Sequence, residues 1–462
     1  MFWLGTRFSS EGRLEEAVLA IQEVVDLCKA LAAEQPKAYN ASLAGALNNL
    51  TTYLSILDRP QDAFSIGQEA VDLYRMLAAE QPAAYNTRLA MALNNLSNPL
   101  SRLGRAQEAL AAVEEAVDLY QALAGDRPTA YNADIANALG NLSNRLSSVS
   151  RSQEALVAGQ EAVHIYKTLA AELPAAYNAD LASALYNLSG KYSAFGRTQE
   201  ALSAVEEAVR LRRVLAAERP TTYIAGLAQA LNDLSNYLSS IGRAHEALST
   251  SQEAVDLYNA LAVEQPTVYN AGLAMALTNL SNHLSSAGRA QEALAAARES
   301  VRLYKACAAE KPSAHNAGLV SALNNLSSRL SSNGRTHDAL AAAREAVDLC
   351  RALAAEQPVV YDSKLATNIK DLSRCLIRLG LEDEALTILP EAVEMFRVLA
   401  AARPAKFGRS LMESLVLLSG VLHHLNSAEF LGVAQEAATM RQALGGEGHP
   451  ERSDTVAGRS MY

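Results

Sequence analysis

The chain has 462 residues, half of them hydrophobic and 19% charged, with one Trp and a net charge of −10 at pH 7. This balance describes a folded chain, not a disordered one, and argues against bulk binding to nucleic acid or to an anionic membrane, both of which need a basic surface. No apolar run is long enough to cross a bilayer, so no membrane partner and a cytoplasmic location are expected.

The chain opens with MFWLGTRFSSEGRLEE, which lacks the apolar core of a secretory signal. Phe8–Arg13 (FSSEGR) matches Leu284–Arg289 (LSSAGR), so the first unit of a repeat is expected to be truncated at its start. Two rulers then run down the sequence. Gly12, Asp58, Gly104, Ser150, Gly196, Gly242, Gly288, Gly334 and Gly380 lie 46 residues apart, and so do Pro36, Pro82, Pro128, Pro174, Pro220, Pro266, Pro312, Pro358 and Pro404. Strict phase of this kind marks a repeat array.

Within one unit, NTRLAMALNNLSNPLSRLG (Asn86–Gly104) places Leu89, Leu93, Leu96, Leu100 and Leu103 at helical spacing and ends on a Gly. RAQEALAAVEEAVDLYQALAGDRP follows, with Ala109, Val113, Ala116, Val117 and Tyr120 on one face, and stops before Pro128. Each unit therefore predicts two antiparallel helices, the first about 18 residues or roughly 27 Å long. Neither helix buries its stripe alone, so units must stack on their neighbours. The last unit, from Leu411, keeps phase loosely and reads as a degenerate cap within a single solenoid over residues 1–444. Residues 445–462 read as a polar, disordered tail.

The unit resembles the tetratricopeptide repeat. Leu93, Leu96, Ser97 and Leu100 stand where that repeat has Trp, Leu, Gly and Tyr, and Ala109 and Ala116 supply its two small contacts. The first small contact is Ala in nine units: Ala17, Ala63, Ala109, Ala155, Ala201, Ala247, Ala293, Ala339 and Ala385. The 46-residue length and the ALNNL, GR, EAL and EAV phrases most resemble the kinesin-light-chain type, and also arrays attached to signalling NTPases or caspase-like peptidases. The resemblance implies an all-α, right-handed α-solenoid of about ten antiparallel helix pairs, with each first helix on the inner wall. It further implies a non-catalytic scaffold that binds an extended peptide or partner protein in the groove. The alternative is a sensor or autoinhibitory arm of a larger NTPase- or peptidase-containing protein.

At about 100° per residue, Met91, Asn95, Asn98 and Arg102 lie opposite the leucine stripe. Repeated along the chain they give polar rails: Asn49, Asn95, Asn141, Asn187, Asp233, Asn279 and Asn325 in one, Asn98, Asn144, Asn236 and Asn282 in the other. With Arg102 these are the candidate groove residues, because an Asn side chain offers a donor and an acceptor to a peptide backbone. The same side chains also suit a second role, bonding to the neighbouring unit and fixing its stacking angle. Arg102, Arg145, Lys191 and Arg329 add positive charge there, which favours an acidic or phosphorylated peptide. Cys28, Cys307, Cys350 and Cys375 lack metal-ligand spacing and read as small core fillers, and no phosphate loop or catalytic set recurs. No catalytic residue, metal or cofactor is expected, and the oligomeric state is not encoded in these patterns.

Overall fold

In a computed structural model the described residues, 14–126 and 129–446, form nineteen α-helices and no strand. In chain order they are α1 (Leu14–Glu34), α2 (Pro36–Ile56), α3 (Pro60–Glu80), α4 (Pro82–Arg102), α5 (Ala106–Asp126), α6 (Asn132–Ser148) and α7 (Ser152–Glu172). Then come α8 (Pro174–Ala194), α9 (Thr198–Glu218), α10 (Pro220–Ser240), α11 (Ala244–Glu264), α12 (Pro266–Ser286) and α13 (Ala290–Glu310). The series ends with α14 (Pro312–Ser332), α15 (Thr336–Glu356), α16 (Pro358–Arg378), α17 (Glu382–Ala402), α18 (Pro404–His424) and α19 (Phe430–Gly446). The fold is all-α, and consecutive helices pack as antiparallel pairs in the manner of a tetratricopeptide-like solenoid. The expected truncated first helix lies outside the described residues. So does the expected tail, except that α19 continues as helix through Gly445 and Gly446.

Apart from α6, at 17 residues, the first helices are longer than their periodicity predicts. α2, α4 and α8 each run 21 residues, because the helix starts at the ruler proline and not at the Asn four positions later. Proline at the first helical position loses no hydrogen bond and presets φ for the helix. It also drives the preceding residue out of the α region. Gln35 (φ −136°, ψ 73°), Gln81 (φ −138°, ψ 73°) and Leu173 (φ −132°, ψ 71°) are accordingly the whole connection between one unit and the next.

The turn inside each pair is set by the other ruler. Gly104, Gly196, Gly242, Gly288, Gly334 and Gly380 adopt φ of 69–82°, where a Cβ would crowd the backbone. Asp58, Ser150 and Asn426 hold the same left-handed turn. At Gly104 the next N–H, that of Arg105, donates to the Leu100 carbonyl at 2.9 Å, which closes a C-terminal capping motif. The Arg that follows pairs with an acid three residues on, as in Arg105–Glu108 (2.6 Å) and Arg289–Glu292 (2.5 Å). This explains the recurring GR phrase.

The chain falls into two compact units, residues 1–230 and 231–462. In the first, Leu89, Leu93, Leu96 and Leu100 are 2–5% exposed, and Ala63, Ala109, Ala155 and Ala201 are fully buried at the recurring small position of the second helices. Ser97, Ser143 and Ser189 occupy the facing small site, and the Ser143 hydroxyl donates to the Ala155 carbonyl at 2.6 Å. In the second unit Ser281 and Ser327 repeat that bond to Ala293 (2.8 Å) and Ala339 (2.9 Å). Burying one such leucine contributes about 1.5–3 kcal/mol, so the stripes dominate the stability of each unit. Cys28, Cys307, Cys350 and Cys375 are all buried and unpaired, as expected of core fillers.

Which helices lie inside each unit's curve follows from side-chain reach. In the first unit α2, α4, α6 and α8 also touch one another in sequence, and short amides bridge them. Its second helices are bridged by long ion pairs instead: Lys29–Glu69 (2.9 Å), Arg75–Glu115 (2.8 Å) and Lys167–Glu207 (2.9 Å). The second unit repeats the contrast, with α12 against α14 and α16 against α18 on one side, and Lys305–Glu345 (2.7 Å) and Arg351–Glu391 (2.7 Å) on the other. Short rungs fit only where axes are close, so the first helices form the inner wall of each unit.

Candidate functional site

The doubled asparagine divides its labour. Its first member is buried in three repeats, where Asn48, Asn94 and Asn232 are 1–6% exposed, and half-buried at Asn324. Its second member sits half-exposed on the first-helix face and reaches back to the preceding unit. Asn95 Nδ2 donates to Asn48 Oδ1 at 3.1 Å, Asn141 to Asn94 at 3.0 Å, and, in the second unit, Asn279 to Asn232 at 2.9 Å. Asn325 is buried, accepts from the Ser281 hydroxyl at 2.8 Å and donates to Asn282. Asn94 passes the chain on, its amide donating to Asn137 Oδ1 at 2.9 Å. These rungs satisfy polar groups that burial would otherwise strand.

Periodicity alone singled out the second member and missed the first. The signal was present in the repeated NN pair, but one helical wheel cannot show that both residues face a neighbour. The rungs stop at the third complete pair. Gly140 stands where Asn94 would repeat, and Asn187 opposite it is exposed and makes no hydrogen bond. Gly190 stands where Asn98 would repeat, and a Cβ at either glycine would meet nothing within 4 Å. Asn236 is likewise exposed and unbonded, while Asn49 is half-buried and makes no rung among the described residues. Asp233 is half-exposed on the same face of α10.

One turn further along, cations take over. Arg145 Nη2 donates to Asn98 Oδ1 at 2.9 Å, and Lys191 Nζ to Asn144 Oδ1 at 3.1 Å. Arg102 pairs with Asp58 at the rim. Burial, then repulsion from Arg102, pulls the Arg145 pKa down, and burial, then repulsion from Arg145, does the same to Lys191. Thr52, Ser55, Ile56, Asn95, Asn98, Arg102 and Arg145 line a recess of about 400 Å³ across α2, α4 and α6. Three of the expected groove residues thus share one cavity. In the second unit Arg329 Nη2 lies 3.5 Å from Asn282 Oδ1, and burial lowers its pKa.

The tetratricopeptide repeat profile matches residues 43–80, 89–129, 273–306 and 319–356, each spanning much of a helix pair. Those four segments carry tetratricopeptide repeats. A profile for anaphase-promoting complex subunit 5 matches residues 173–219. Among curated proteins the sequence finds no match. The apo form of RapI has a similar fold at 12% identity and a TM-score of 0.57, covering 88% of this chain and 99% of that one. The apo quorum sensor NprR from B. thuringiensis is similar at 14% identity and a TM-score of 0.53, covering 83% and 97%. A kinesin light chain-like protein of nearly identical TPR-like repeats from Podosopora anserina shares 20% identity over 47% of this chain and 95% of its own, with a TM-score of 0.37. No helix among the described residues is long and apolar enough to cross a membrane.

Proposed function

We propose that the first-helix face is a docking surface for an extended segment of a partner protein, and that the chain is a scaffold without chemistry of its own. The observation that carries this reading is the recess on α2, α4 and α6, where Asn95, Asn98, Arg102 and Arg145 converge on about 400 Å³ of open space. Within the first unit the unspent amide of Asn187 extends the surface beyond it, and within the second unit Asn236 offers another on its own first-helix face. An amide side chain matches the N–H and C=O of a peptide and tolerates many side chains, and the repeat family implies the same role. The rungs give Asn95, Asn141, Asn279 and Asn325 a prior task, so the contacts available to a ligand fall mainly on Asn98, Asn144, Asn187 and Arg102 in the first unit, and on Asn236 in the second.

Selection from a displayed library of protein segments, followed by hydrogen–deuterium exchange with the best binder, tests the reading. Bound peptide should slow exchange in α4, α6 and α8 and leave α5, α7 and α9 unchanged. Protection confined to the second helices would overturn it.

A further inference from the structure

We infer that Arg145 and Lys191, with Arg102 at the rim, form an anion subsite that takes a carboxylate or phosphate side chain of the docked segment. The inference rests on the docking surface above and names the ligand's chemistry.

The argument starts from partners. The cations that bridge the second helices of the first unit find carboxylates, Lys29 on Glu69, Arg75 on Glu115 and Lys167 on Glu207. Arg145 and Lys191, at the same place in consecutive repeats, have only the neutral oxygens of Asn98 and Asn144. Arg145 Nε is buried and bonds to nothing. An unpaired buried donor on a charged group is costly, and the neighbouring cations add to the cost, Arg102 for Arg145 and Arg145 for Lys191. Space for a counter-charge is present: Arg145 lines the recess of about 400 Å³, and beside Lys191 the repeat gives up its Asn for Gly190, where a Cβ would touch nothing within 4 Å. In a chain of net charge −10, two half-buried cations left without an acid are a selective feature of one face. A planar guanidinium is suited to a forked bond with either anion.

The test compares the full chain with the double variant Arg145→Gln, Lys191→Gln in selections from a random-peptide display library. The parent should recover peptides enriched in Asp and Glu. The variant should lose that enrichment and bind the parent's peptides roughly tenfold to a hundredfold more weakly, since charge-assisted hydrogen bonds are among the strong ones. Synthetic versions bearing Glu, phosphoserine or Gln at the acidic position separate carboxylate from phosphate, and the Gln version should bind both proteins alike. Equal acid content and equal affinity on both proteins would overturn the subsite and leave the docking surface standing. If the parent recovers no peptide, the docking surface fails, and inorganic pyrophosphate then probes the cluster directly. A melting temperature raised by pyrophosphate in the parent and not in the variant supports the subsite; the same response in both overturns it. The variant should melt no lower than the parent, because it relieves the repulsion among these cations, so loss of folding is read from the same melt.

Discussion

Asn94 accepts from Asn141 through its oxygen and donates to Asn137 through its amide, at 6% exposure. Removing it strands groups on two neighbouring side chains at once. Asn94→Ala should therefore cost about 1–3 kcal/mol, the penalty for unmade buried hydrogen bonds. Asn187 is exposed and bonds to nothing, so Asn187→Ala should stay within about 0.5 kcal/mol, aided by the better helix propensity of Ala. Urea midpoints of the two variants check this, and equal shifts would contradict the division of labour. The sequence placed both residues on one helix repeat after repeat. It did not show which amide is spent, because that depends on the gap between first helices, and on Gly140 facing Asn187.

Among the described residues every helix pair except α6–α7 is bounded by two backbone devices, a proline that starts the first helix and a left-handed residue that ends it. Both were legible as 46-residue rulers, and the left-handed turn persists at Asn426 beyond the last ruler glycine. The length of the first helix was not legible, because apolar periodicity fades at PxxYN, where the first turn packs less deeply: Tyr85 and Asn86 are half-buried, Pro82 and Ala83 exposed. Packing inside a pair makes a sharper distinction. Ala201 and Ala204 are both buried, at 0% and 6%, although phase marks only Ala201 as the close contact. Ala204 borders a recess of about 380 Å³ lined also by Gln160, Leu188 and Tyr192. A leucine at Ala204 has room to enter, whereas at Ala201 it must push the paired helices apart at a cost of roughly 1–3 kcal/mol or more. Thermal unfolding should show Ala201→Leu the more destabilised. Equal melting temperatures would mean that the close contact lies elsewhere.

At the scale of the molecule, one unit copied at constant phase builds two walls of different chemistry in each compact unit. Short amide rungs and half-buried cations line the first helices, and exposed ion pairs, each contributing about 0–1 kcal/mol, span the second. The array was legible because most copies repeat Gly at the turn and all keep the turn at the same phase. The site was only partly legible, since its distinguishing positions are departures from the repeat: Gly140, Gly190, Arg145 and Lys191. The central claim is that the first-helix face binds the ligand. Titration of one selected peptide against three proteins tests it most directly: the parent, the triple variant Asn98→Ala, Asn144→Ala, Asn187→Ala, and the triple variant Glu115→Ala, Glu161→Ala, Glu207→Ala. Three neutral hydrogen bonds of roughly 0.5–1.5 kcal/mol each predict that the asparagine variant binds about tenfold to two-thousandfold more weakly, and the glutamate variant as tightly as the parent. Unchanged affinity in the folded asparagine variant, or an equal loss in the glutamate variant, would contradict the account.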